Sequence, residues 1–259
     1  MAEEKLVAPS ADVIVCSALD VGEHILKNGG EIHRVEDTIE RICKAFGAEH
    51  VEVFTITSLI VASVRMPDGV YSQQMRRIYR VSNNLYMVEA MNGISRKLCS
   101  GELPISNLRA AIVEAKKKKP YHTAIIYLGA VLAAGGFAAF FGGTIFDALC
   151  AAAIGVFITF LDRHTPKYIN RMIITVISSL LAGLLGILLS KIGVGTYADK
   201  IMIGTIMLLI PGLSFGNSIR DMLGGDIISG ALRLIESLLL ALMIAFGFAL
   251  AILITGGAA

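Results

Sequence analysis

The sequence predicts an N-terminal cytosolic α+β domain over residues 1–120, followed by an all-α polytopic membrane domain over residues 121–259 with five transmembrane helices, one of them broken at Pro211-Gly212. Three observations carry that prediction. Residues 1–120 hold 16 of the 23 Lys and Arg and 15 of the 21 Asp and Glu, leaving 7 and 6 for the rest. Apolar runs begin after the lysine block Lys116-Lys117-Lys118-Lys119, each near the ~20 residues of helix that cover a bilayer core of roughly 30 Å. The segment Val51–Arg65 is rich in β-branched residues, and the turn signal Met66-Pro67-Asp68-Gly69 separates it from a returning strand over Val70–Ile78.

In the charged part, the stretch from Asp12 to Lys27 reads as a helix. Ile32, Val35, Ile39, Ile42 and Phe46 then recur at steps of three and four, the period of an amphipathic helix. Gly29-Gly30 precedes that helix and Gly47 ends it. After the strands, Asn84 to Cys99 and Ser106 to Lys118 again read as helices.

The five spans run from about Thr123 to Phe141, Ile145 to Leu161, Ile169 to Ser190, Ile201 to Ile219, and Ile227 to Thr255. Alternate loops carry the lysine block, then Arg163, Lys167 and Arg171, then Arg220, whereas the opposite loops carry Lys191 and Lys200. The bias puts the N-terminus in the cytoplasm and, with an odd span count, the C-terminus outside, in a cell (inner) membrane. Ala130, Ala134, Ala138 and Gly142 fall at four-residue steps, a face that lets helix backbones approach closely, within the chain or against another subunit.

Several function classes are disfavoured. A net charge of +2 does not fit a nucleic-acid partner. Cys16, Cys43, Cys99 and Cys150 form neither a C-x-x-C pair nor a zinc spacing, which suits a reduced, cytosolic setting. The N-terminal residues lack the basic and apolar regions of a cleaved signal peptide. No phosphate loop, nucleophile elbow or metalloprotease motif is present, so neither cofactor, metal nor catalytic residue is expected.

The strongest candidate site is the break itself. Pro211 lies about 15 Å along a helix counted from Lys200, near a bilayer midplane. Proline removes a donor and clashes one turn back, and broken helices at that depth often bind solutes. The N–H groups of Gly212, Leu213 and Ser214 are expected to lack intrahelical partners and to suit a carboxylate, with Ser214 and Asn217 adding side-chain hydrogen bonds. Arg220 and Asp221 are expected at the cytoplasmic mouth, as an ion pair or as an attractant for an anionic solute. Asp226, Ser229, Arg233 and Glu236 share one helix face, with Arg233 and Glu236 as a coupling or gating pair, or as interfacial anchors. Asp147, near the outer end of the second span, is read as a helix cap or an outer gate.

In the cytosolic domain the motif around Arg34, Glu36 and Asp37 is dense in charge. Asp37–Arg41 and Glu40–Lys44 have i, i+4 spacing, as on a solvated helix face. A hydrolytic centre on Glu36 and Asp37 is weak, because adjacent helical residues diverge by about 100°.

These residues also carry a family resemblance. The run Gly29-Gly30-Glu31-Ile32-His33-Arg34-Val35-Glu36-Asp37-Thr38, the pairing of Ile210-Pro211-Gly212 with Asn217-Ser218-Ile219-Arg220-Asp221, and Gly225-Asp226 through Ser229-Gly230, Arg233 and Glu236 resemble the threonine/serine exporter family, specifically its first half. The resemblance covers about Asp12 to Ala251 and departs from the family at Gly30, where a small residue is usual. It implies export of threonine and serine or, in two-subunit systems, of the dicarboxylate succinate. It also implies a second small membrane subunit, since the chain resembles the split form; self-association is the other arrangement. The alternatives are a membrane-tethered sensor or scaffold, or a hydrolase, acting through the cytosolic domain.

Overall fold

The computed structural model describes residues 9–118, 121–166 and 169–256. Lys119 of the lysine block, Lys167 of the second cytoplasmic loop and residues 257–259 of the C-terminal tail lie outside the described residues. Contacts divide the chain into two compact units, Met1–Pro120 with Leu213–Leu234, and Tyr121–Gly212 with Ile235–Ala259.

The first unit begins with α1 (Ala11–Lys27), whose first turn is capped by the Ser10 hydroxyl accepting from the Val13 amide at 3.4 Å. Helix α2 (Ile32–Ala45) buries Ile32, Val35, Ile39 and Ile42, the stripe read from the sequence. Strands β1 (His50–Ile56), β2 (Leu59–Arg65) and β3 (Tyr71–Arg77) form an antiparallel sheet in that order. The β-branched stretch 51–65 is thus a hairpin in itself: Ile56 pairs with Leu59 across the polar turn residues Thr57 and Ser58. Along β2 every second residue, Ile60, Ala62 and Val64, is buried, as a one-sided sheet requires. Helix α3 (Leu85–Cys99), capped by Asn84, a 3₁₀ turn (Ile105–Asn107) and α4 (Leu108–Lys117) complete the N-terminal portion. Ile14, Leu19, Ile25, Ile39, Ile60 and Met91 lie at the centre of one continuous core. Burial pushes the Cys43 thiol up to about 12, so it behaves as an apolar core residue.

Helix α9 (Gly212–Leu223) from Leu213 onward and the opening turns of α10 (Ile227–Ile254) also belong to this unit. They are joined by Gly224, Gly225 and Asp226, with Gly225 at φ +101° and the Asp226 amide donating to the Asp221 carbonyl at 2.9 Å. Gly230 brings the two helices close: a Cβ there would lie 2.3 Å from Met222 Cγ.

The second unit contains α5 (Thr123–Phe140), α6 (Ile145–His164), α7 (Arg171–Lys191), α8 (Ala198–Leu209) and the remainder of α10. Its buried centre is built from small and aliphatic side chains, with Ala134, Ala138, Ala151 and Ala182 fully enclosed. Ala130, Ala134 and Ala138 are the buried face of α5, so these three residues of the small-residue stripe pack within the chain, whereas Gly142 is exposed in the turn that follows. Gly204 sits on the α5 backbone, where a Cβ would come within 2.4 Å of the Ala134 carbonyl. Large apolar side chains point outward instead: Leu132 and Leu242 are more than 60 % exposed. An exterior of that kind is unsuited to water and suited to lipid. Among the described residues four helices, α5, α6, α7 and α10, are long and apolar enough to cross a membrane, and the bent pair α8 with α9 makes a fifth if it is one span.

Candidate functional site

Helix α2 starts without a cap of its own. Glu31 precedes it in extended conformation and makes no capping bond, and its first turn holds no acidic residue. The first amide groups of a helix need acceptors, and their partial positive charge favours an anion. The chain reaches this point through a tight turn at Gly29 and Gly30. A Cβ on Gly30 would lie 2.4 Å from Ile25 Cγ2, so only glycine fits. The turn leaves the Gly29 and Gly30 carbonyls and the Ile32 amide for groups elsewhere in the first unit.

Those groups come from α9 and α10. Asp221 Oδ1 accepts from the Ile32 amide at 3.1 Å and so supplies the missing cap. Asp221 Oδ2 lies 3.0 Å from Arg233 Nη1, and Arg233 Nη2 donates to the Gly30 carbonyl at 3.2 Å. Both side chains are almost fully enclosed, at 1 % and 7 % exposure. Asn217 Nδ2 donates to the Gly29 carbonyl at 3.0 Å, and Arg220 pairs with Glu31 at the exposed rim. A buried ion pair is tenable only when further hydrogen bonds satisfy both partners, and here the α2 amide and the Gly30 carbonyl do so.

A second arm joins α10 to α2 and the sheet. Ser229 Oγ donates to the Thr55 carbonyl at 3.1 Å, while the Thr55 amide donates to Glu36 Oε1 at 2.7 Å. Burial and the nearby Asp226 carboxylate push the Glu36 carboxyl above its usual range, against the lowering effect of the Thr55 bonds. The charged motif of α2 and the polar face of α9–α10 are therefore the two sides of one hydrogen-bonded seam.

Sequence comparison agrees on the wider class. The model of the threonine/serine exporter family, ThrE, matches residues 17–255. The chain belongs to the threonine/serine exporter family. No curated protein and no solved structure matches it. Membership in this family of membrane exporters accounts for the apolar exterior of the second unit and makes the protein a multi-pass membrane transporter.

Within this exporter the remaining expected residues fall as follows. Helix α8 ends at Leu209, Ile210 is extended, and α9 resumes at Gly212. The Gly212 amide is taken by the Ile210 carbonyl at 2.8 Å, while Leu213 is exposed and Ser214 half-buried at the start of α9. Pro211 itself is buried. Asp147 closes a capping box with Thr144 and also accepts from the Thr196 and Tyr197 amides at 2.6 and 3.0 Å. Its carboxylate thus caps α6 and also ties the start of that helix to the α7–α8 connection. Arg233 makes its ion pair with Asp221 rather than the one expected with Glu236, because α9 folds back alongside α10; Glu236 is exposed. Arg34 lies 3.8 Å from Glu31, and Asp37 pairs with Arg41. Glu36 and Asp37 thus serve different partners.

The seam includes groups that sequence reasoning passed over: the Gly29 and Gly30 carbonyls, the Ile32 amide and Thr55. One signal was present. A helix start with no capping side chain and no acid in its first turn needs an anion from elsewhere, and Asp221 was among the apolar region's few carboxylates.

Proposed function

We propose that this exporter moves a small carboxylate-bearing metabolite, threonine or serine or a dicarboxylate such as succinate, out across the inner membrane. On this reading its N-terminus is cytoplasmic and its C-terminus outside. It works with a second small membrane subunit or with further copies of itself.

The observation that carries the proposal is the enclosed Asp221–Arg233 pair seated on the Gly30 carbonyl. A guanidinium presents a planar fork that matches a carboxylate. Asp221 occupies the position that a substrate carboxylate would take. Exchanging one carboxylate for another leaves Arg233 compensated throughout, whereas simply opening the pair strands a buried charge. The substrate is then the natural trigger for releasing α9 from α2. The Leu213 and Ser214 amides at the start of α9 offer the second carboxylate contact. Asp226 and Glu236 are the carboxylates left for a coupling proton. The α10 stretch Ile235–Ile254 is about 30 Å long, enough to cross a bilayer core without the Arg233 turn.

The test is efflux of labelled threonine and of labelled succinate from preloaded cells expressing the chain alone or with a candidate small subunit. Efflux dependent on co-expression identifies a split exporter and its substrate. Efflux from the chain alone identifies a self-associating carrier. Absence of both, with the protein located in the membrane, overturns the proposal.

A further inference from the structure

The groove between α2 and α3 is polar where packed helices usually meet through apolar side chains. Arg34, Thr38 and Arg41 lie four and three residues apart on α2, and Asn92, Ser95 and Arg96 face them from α3. Together they line a cavity of about 250 Å³. Thr38 and Ser95 are buried, at 4 % and 2 % exposure. The Ser95 hydroxyl has no hydrogen-bond partner among the described residues. Buried hydroxyls are ordinarily bonded, so an unpartnered one lining a cavity marks a position for a ligand atom.

Charge decides the kind of ligand. Three guanidiniums, Arg34, Arg41 and Arg96, line the cavity against the carboxylates of Glu31 and Asp37. Asp37 is held by Arg41, and Glu31 is shared between Arg34 at 3.8 Å and Arg220. The positive excess therefore falls on Arg34 and Arg96, on opposite walls. Guanidinium forks on two walls above hydroxyl and amide groups match an acceptor-rich anion. We infer that this pocket binds a small metabolite anion carrying carboxylate or phosphate groups, held between Arg34 and Arg96 with the Ser95 hydroxyl as a donor. The site lies wholly within the first unit and does not rest on the transport reading above.

Calorimetric titration of the purified full chain in detergent, with succinate and separately with inorganic phosphate, tests the pocket. Saturable binding of at least one probe is expected, weakened about tenfold or more by Arg96→Gln, because one charge-assisted contact is lost. Lys97→Gln, which removes the same charge from a neighbouring exposed position outside the pocket, is expected to leave the affinity within about twofold. Response to succinate alone assigns a carboxylate ligand, response to phosphate alone a phosphorylated one, and response to both a site selective for charge only. The inference is overturned if neither probe saturates below about 10 mM. Binding unaffected by Arg96→Gln, as a transport site elsewhere would give, or weakened equally by Lys97→Gln, overturns it too.

Discussion

The apolar helices of the second unit and the α9–α10 seam of the first are held by different physics. Between α5, α6 and α8 the contacts are shape contacts, with Gly204 on the Ala134 carbonyl and Gly155 against Ala134. Lipid is as apolar as leucine, so close van der Waals fit must do what the hydrophobic effect does in water. In the seam, by contrast, nearly every contact is directional and charged or polar: Asp221 to the Ile32 amide, Arg233 to Asp221 and Gly30, Ser229 to Thr55. A shape contact has no alternative partner. A carboxylate–guanidinium contact has many, including any anion of the right size. Shape fit thus holds the apolar bundle, and directional polar contacts hold the seam.

The sharpest way to break that contrast is to remove one side of the buried pair. Arg233→Ala or Asp221→Ala leaves an uncompensated charge and is expected to destabilise the first unit by about 3–5 kcal/mol. Denaturant unfolding of the purified chain, together with proteolytic access to residues 213–234, reads that loss. The double variant Asp221→Leu with Arg233→Leu removes both charges and is expected to regain most of the stability while efflux stays abolished. If the double variant transports normally, the pair is a structural device and its assignment as a substrate gate fails.

A smaller effect is expected from crowding the shape contact. Gly204→Ala places a Cβ against the Ala134 carbonyl and is expected to cost about 1–3 kcal/mol, as overpacking does in well-packed cores. Because no charge is involved, the loss should be insensitive to salt and pH. A thermal midpoint that falls equally at low and high ionic strength supports the distinction, while a salt-dependent loss contradicts it.

Much of this arrangement was legible in the sequence, for reasons that differ by region. The stripe Ile32–Val35–Ile39–Ile42 and the small-residue face Ala130–Ala134–Ala138 each encode burial through local periodicity, which a linear reading recovers. The cap on Asp147 was readable too, because Thr144 and Asp147 stand three apart. The seam was not readable in this way. Ile32 and Asp221 are 189 residues apart, and nothing in the spacing of Arg233 indicates Asp221 rather than Glu236 as its partner. Glu236 stands three residues from Arg233 on the same helix, whereas Asp221 stands twelve residues back on α9 and is brought to it by the Gly224-Gly225 turn that folds α9 back on α10. The hairpin at Thr57-Ser58 escaped notice because its turn residues are β-compatible and carry neither glycine nor proline.

The finest probe of the seam is its second arm, where Glu36 meets Thr55 and Asp226. Burial and the Asp226 carboxylate raise the Glu36 carboxyl in the folded chain above the value it has unfolded. At a pH below the unfolded value both states hold the proton and Glu36 costs nothing. As pH rises, the unfolded chain releases its proton first, so the folded chain binds more protons and stability falls until the folded group also ionises. Glu36→Gln keeps an acceptor for the Thr55 amide but cannot titrate. It is expected to flatten the decline in stability that the natural chain suffers from the acid range upward, and to be the more stable of the two at neutral pH. Asp226→Asn should recover part of that gain by removing only the neighbouring charge. Parallel stability–pH curves for the natural chain and Glu36→Gln would mean that Glu36 is solvated like any surface carboxylate. In that case the buried charge of the seam is confined to Asp221 and Arg233, and the contrast with the apolar bundle narrows to that enclosed pair.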